Sequence, residues 1–132
     1  MARISGLTII HTTAYDDDAD TDADFQLQVA RPGGDLLLTF PDLPHDEREG
    51  GRTDQYFFDL SGENVDSDAP GFEVIMRILS SDGWLPSSIF VIGHTPDGGN
   101  VVLGSHPTWT EGWFDSGDDP AGPAEHAISG LG

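Results

Sequence analysis

Residues 25 to 30 read Phe-Gln-Leu-Gln-Val-Ala, a strict alternation of apolar and polar side chains. A period of two puts Phe25, Leu27 and Val29 on one side of an extended chain and Gln26 and Gln28 on the other, as in a strand with one face on a core. The same signature recurs in Phe72 to Leu79 (FEVIMRIL), and Thr53 to Leu60 (TDQYFFDL) gives a further strand, whereas no stretch of useful length carries the helical period. Ile4 to Thr13 (ISGLTIIHTT) is a β-branched run, Ser88 to His94 (SIFVIGH) a buried strand, and Val101 to Leu103 a short one. Between them, the 17 Gly and nine Pro act as turn punctuation. Arg31-Pro-Gly-Gly-Asp35 joins the 25–30 strand to Leu36–Phe40 as a hairpin, and Thr95-Pro-Asp-Gly-Gly99 turns the chain into Val101.

About seven or eight short strands at near-regular spacing predict an all-β fold, an antiparallel two-sheet β-sandwich, with a closed barrel as the alternative. The 132 residues suffice for one core. That domain is expected over residues 1–115, with residues 116–132, rich in Gly, Pro, Ala and Asp, as a flexible tail. Cysteine is absent, so neither disulfides nor thiolate metal sites support the fold. No signal-peptide pattern opens the chain and no apolar run reaches membrane-span length, which predicts a soluble, cytoplasmically made protein that can join a virion or surface assembly.

Charge constrains function next. The chain carries 24 acidic residues against five arginines and no lysine, for a net charge of −19. Like charges on so small a body oppose the compact state at low ionic strength, whereas at molar salt the Debye length falls to about 3 Å and only near neighbours interact. An aspartate-rich, lysine-free surface is therefore expected in a high-salt environment, with halophilic origin as its source; the alternative, a GC-rich genome, replaces Lys with Arg but does not by itself explain the aspartate excess. The same charge argues against nucleic acid and anionic membranes as partners, since both are bound by a cationic footprint. Zwitterionic lipid, carbohydrate and protein remain.

Six of the carboxylates, Asp16, Asp17, Asp18, Asp20, Asp22 and Asp24, precede the Phe25 strand. Hard cations such as calcium take six to eight oxygens from loop carboxylates and carbonyls. Asp20, Asp22 and Asp24 alternate, so an extended segment turns them to one side, and Asp54 is the candidate distant ligand. An EF-hand starting at Asp16 is excluded, because its sixth position is Thr21 instead of Gly and its twelfth is Leu27 instead of Glu. The competing reading is a solvated acidic loop.

Other chemistries find less support. His11, His45, His94 and His106 lack the short spacing that makes zinc motifs specific. No G-x-S-x-G elbow is present, and Ser105-His106 is mere adjacency. An Asp-rich chain always offers carboxylate pairs, so these do not indicate glycoside hydrolysis. The chain is not expected to be an enzyme. Trp84 is expected in the core. Trp109 and Trp113, four apart, would share one side of a strand and could form a stacking platform for sugar or an apolar contact for a protein partner; core packing is the competing and favoured reading.

The order of segments resembles the PLAT/LH2 domain. Ala19-Asp-Thr-Asp-Ala-Asp-Phe25 is similar to that family's Thr-Asp-Ala corner, and Arg48-Glu-Gly-Gly-Arg-Thr-Asp-Gln-Tyr-Phe57 to its Glu-Arg-Gly-x-Thr-Asp-x-Phe segment, though here Glu49 precedes two glycines. Phe72 to Leu79, Asp82-Gly-Trp84-Leu-Pro-Ser-Ser-Ile-Phe-Val91 and Trp109-Thr-Glu-Gly-Trp113-Phe-Asp115 follow in the family's order. The resemblance implies a β-sandwich that is a non-catalytic module docking onto a membrane, lipid or protein surface, sometimes through loop-bound calcium. Two functions are therefore expected. The first is an interaction domain of a larger protein assembly, such as a virus decoration or surface complex, contacting its neighbours or itself through the tail and opening strand. The second is a calcium-dependent module for lipid or carbohydrate.

Overall fold

A computed structural model describes residues 3–15, 24–41, 50–79, 82–116 and 123–131. The strands are β1 (Arg3–Ile4), β2 (Gly6–Thr13), β3 (Phe25–Ala30), β4 (Leu36–Thr39), β5 (Thr53–Asp59), β6 (Val65–Asp66) and β7 (Glu73–Ile78). They continue with β8 (Asp82–Trp84), β9 (Pro86–His94), β10 (Asn100–His106), β11 (Phe114–Ser116), β12 (Glu125–Ala127) and β13 (Gly130–Leu131). One sheet has five strands in the order β13-β10-β9-β2-β5, the other four in the order β12-β7-β3-β4, and two short pairs, β1-β6 and β8-β11, complete the described fold. The neighbours are antiparallel except β13, which runs parallel to β10. This is the expected all-β sandwich, with more elements than expected because short pairs and the C-terminal segment add strands.

Alternation places the core. In β3, Phe25, Leu27 and Val29 are fully buried, in β7 Val74 and Met76 are too, and facing them lie Leu7 and Ile9 of β2 with Ile89 and Val91 of β9. In β5 the buried set is Asp54, Tyr56 and Phe58, so Thr53, Gln55, Phe57 and Asp59 face outward. Trp84 is wholly enclosed, as expected, packs on Phe25, Phe114 and His11, and donates its indole N–H to Thr13 Oγ1 at 2.9 Å. An indole without that acceptor would leave a buried donor unsatisfied. The β3–β4 hairpin turns on Gly33 and Gly34, whose φ values of 89° and 134° favour glycine, and Arg31 Nε ties the turn by donating to the Gly34 carbonyl at 2.8 Å.

The C-terminal segment departs from the expected loose tail. Over residues 123–131 it belongs to both sheets, while 117–122 lie outside the described residues. Glu125–Ala127 pair with Arg77–Ile75 of β7, and Glu125 forms an ion pair with Arg77. The chain then crosses: Ile128 N–H donates to the Val74 carbonyl at 2.8 Å, Ser129 Oγ accepts from Val74 N–H at 3.0 Å, and β13 joins β10. The Ile128 side chain is fully buried. At the crossing, Gly104 leaves room for the Ile128 carbonyl, which would lie 2.2 Å from any Cβ there. Composition suggested a loose tail because one Ile among small and polar residues carries no periodic signal; the open edge of the sandwich supplies its place.

Candidate functional site

One end of the sandwich gathers the segments singled out by the sequence. β2 leaves the sheet there at Thr13, β3 enters at Phe25 opposite Ile78, β5 enters at Thr53 opposite Thr12, and β9 enters at Pro86 opposite Thr13. The two sheets are joined at this end through Trp84, 4.8 Å from the His11 ring of one sheet and 5.3 Å from the Phe25 ring of the other.

Two apolar side chains project here. Tyr15 is 93% exposed and Leu79 47% exposed. Tyr15 lies two residues beyond the end of β2, after Ala14, whose N–H donates to the Leu85 carbonyl at 2.9 Å. Its ring lies over Gly51, where a Cβ would come within 2.7 Å of the ring and where φ is 76°. Leu79 N–H donates to the Asp24 carbonyl at 2.9 Å, so the exposed Asp24 sits beside it. Asp82 also lies on this rim, its carboxylate accepting from Gly83 N–H at 2.8 Å.

The candidate calcium ligands are not brought together among the described residues. Asp20 and Asp22 lie outside them. Asp24 is exposed, as a loop ligand should be. Asp54 instead occupies an inward position of β5 opposite His11, is 2% exposed, and accepts from Arg52 Nε at 3.3 Å. A carboxylate turned into the sandwich and already engaged by a guanidinium does not fit a hydrated loop-tip cation. Among the described residues no group of three or more His, Asp or Glu side chains is placed to hold a metal ion.

The tryptophans separate as well. Trp109 is not on a strand: its backbone N–H donates to the Ser87 carbonyl at 2.9 Å, and it is only 7% exposed. It stacks on Phe114 at 5.7 Å, is flanked edge-on by His106 and His126, and donates its indole N–H to the Gly112 carbonyl at 2.8 Å. It is a core residue and cannot serve as a platform. Trp113 is half-buried, and its carbonyl accepts from His126 Nε2 at 2.8 Å. The zinc candidates are apart too: His106 contacts the Ile128 carbonyl at 3.0 Å, His94 contacts Thr8 and Asn100, and His45 lies outside the described residues.

The sequence reading missed Tyr15, just beyond one predicted strand, and Leu79, the last residue of another. It also passed over Phe57, although the period of two that buries Tyr56 and Phe58 forces Phe57 outward. In the same way, Val101-Val102-Leu103 puts three apolar residues in a row where a half-buried strand has room inward for only alternate ones.

Solved structures share this architecture. The alpha toxin of Clostridium absonum matches with a TM-score of 0.74 at 20% identity over 97% of this chain and 32% of the toxin. The fold is a PLAT/C2-like β-sandwich. The alpha-toxin of Clostridium perfringens strain SWCP follows with a TM-score of 0.67 at 23% identity over 96% of this chain and 32% of that one. Coral 8R-lipoxygenase, described as activated by calcium through a C2-like domain, gives 0.62 at 14% identity over 95% of this chain and 17% of its own. The PLAT/LH2 resemblance is thus borne out at the level of fold. The chain spans about a third of the toxins and about a sixth of the lipoxygenase. No protein-family model matches it, and no curated protein matches it in sequence.

Proposed function

We propose that this PLAT/C2-like sandwich is a non-catalytic docking module that sets its loop end onto a zwitterionic lipid surface. The observation that carries the reading is the pair of exposed apolar side chains, Tyr15 and Leu79, on one rim. Such side chains can enter the headgroup region, while a net charge of −19 disfavours an anionic leaflet. The C2-like domain of the coral lipoxygenase supports the reading by analogy of fold. Calcium is a separate arm of the proposal: Asp20, Asp22 and Asp24 would be its ligands, without Asp54. Carbohydrate is the competing ligand at the same rim.

The test is co-sedimentation with neutral phosphatidylcholine vesicles in high potassium chloride, with calcium and with chelator. Partial burial of either side chain contributes about 1 kcal/mol, so Tyr15→Ser and Leu79→Ser should each weaken binding about fivefold. Absence of vesicle binding, or binding indifferent to both substitutions, refutes lipid docking. A response to calcium assigns Asp20, Asp22 and Asp24 a ligand role, and none removes it.

A second reading, a subunit of a virus particle or surface complex working in high salt, is supported by a different surface: the outward face of the five-stranded sheet, which carries almost no carboxylate.

A further inference from the structure

The registers of β5, β2, β9 and β10 lay out that outward face. Phe57 stands opposite Thr8, Thr8 opposite Ile92, and Ile92 opposite Val102; in the next row Gln55, Ile10, Phe90 and Ser105 follow one another. Phe57 and Val102 are each 59% exposed, and Ile10, Phe90 and Ile92 between them are partly exposed. Five apolar side chains therefore form one patch across four strands. The Phe57 ring lies against β2 at Gly6, where a Cβ would meet the ring at 2.9 Å.

Two further features mark the face. On the outward positions of these four strands the one carboxylate is Asp59, at the margin, although the chain as a whole carries 24 acidic residues. The polar groups among the apolar ones also satisfy each other. His94 Nδ1 lies 2.7 Å from Asn100 Oδ1 and His94 Nε2 lies 2.7 Å from Thr8 Oγ1; since the amide oxygen only accepts, Nδ1–H donates to it and the Thr8 hydroxyl donates to Nε2. Thr12 and Thr53 hydroxyls bond each other at 2.7 Å. Covering the face strips water from few unsatisfied groups.

We propose that this face binds a second copy of the chain, sheet against sheet, in concentrated salt. The inference deepens the assembly reading above by naming the partner. A two-fold operator pairs the face with itself, so the neutral apolar patch of one copy meets the same patch of the other. Contact through a carboxylate-bearing face would bring like charges together. A face spread over four paired strands also suits sheet-on-sheet packing about 10 Å apart better than insertion into lipid. The footprint, four strands about 4.8 Å apart and about two rows deep, is on the order of 300 Å² per copy, against about 800 Å² per partner in a stable complex. The dimer is consequently weak and concentration-dependent. Salt strengthens it by screening the repulsion between the two net charges.

Sedimentation equilibrium of the full chain tests this from about 10 µM to about 1 mM, in about 0.3 M and about 3 M potassium chloride. The expected result is a monomer–dimer equilibrium whose dissociation constant falls at least about tenfold at the higher salt. Val102→Glu should abolish it, and Val102→Thr, which keeps the β-branched shape, should weaken it if the charged variant fails to fold by circular dichroism. Tyr15→Ser and Leu79→Ser should leave it unchanged, which separates this interface from lipid docking. A monomer under every condition, a dimer indifferent to both Val102 variants, a dimer weakened by salt, or vesicle binding lost on Val102→Thr would overturn the proposal.

Discussion

Replacing Ile128 by Ala tests whether the C-terminal segment is structural. The side chain is fully buried at the crossing between the sheets, its N–H bonded to the Val74 carbonyl and its own carbonyl in contact with His106. The substitution removes three buried carbons, at about 0.8 kcal/mol each, or about 2.4 kcal/mol. The backbone bonds on both sides pin the segment and limit collapse, so a cavity term raises the total to about 3 kcal/mol, within the range of about 2–5 kcal/mol for such substitutions. Urea unfolding in high potassium chloride measures it, as a lower midpoint with an unchanged slope; a loss of about 3 kcal/mol corresponds to roughly 10 °C in the thermal midpoint. A change below about 1 kcal/mol would refute the reasoning, since an Ile on a loosely attached tail would be nearly silent.

Two further outcomes are expected. In the Thr95–Gly99 turn, the Thr95 hydroxyl, and then Gly99 N–H, donate to Asp97 and hold its carboxyl below the ordinary value of 3.8. A carboxyl lowered by folding stabilises the turn above its unfolded value and loses that contribution as pH falls through the lower folded value; NMR titration of the Asp97 carboxyl should give a midpoint below 3.8, and one at or above it would contradict the geometry. On transfer from molar to dilute potassium chloride, the net charge of −19 should lower the thermal midpoint, and an unchanged melt would remove the high-salt reading.

Much of the architecture was legible because strand alternation is a local property. The β3 strand runs over Phe25–Ala30 as the alternation required, its hairpin to β4 turns at Gly33 and Gly34, and β5 and β7 match their predicted runs to within a residue at each end. The failures share a cause. Trp109 was placed on a strand beside Trp113 because both are aromatic and four apart, but it packs into the core from a loop. The opening strand, expected to make subunit contacts, has no free edge, since β2 is enclosed between β9 and β5, and it reaches the proposed dimer face only through its outward Thr8 and Ile10. Asp54 was expected as the distant cation ligand, yet its place in β5 turns it inward.

From sequence alone came the fold class, the inward faces of β3 and β7, and the charge that limits the partners. These follow from steric alternation along a strand and from counting ionisable groups, neither of which needs a distant contact. The tertiary structure alone decided that the last residues close the sheet edge, that Tyr15 and Leu79 share a rim, and that four strands pool their outward apolar residues into one nearly uncharged face. Each depends on which strands pair and in what register, and that is set by contacts between residues far apart in the chain.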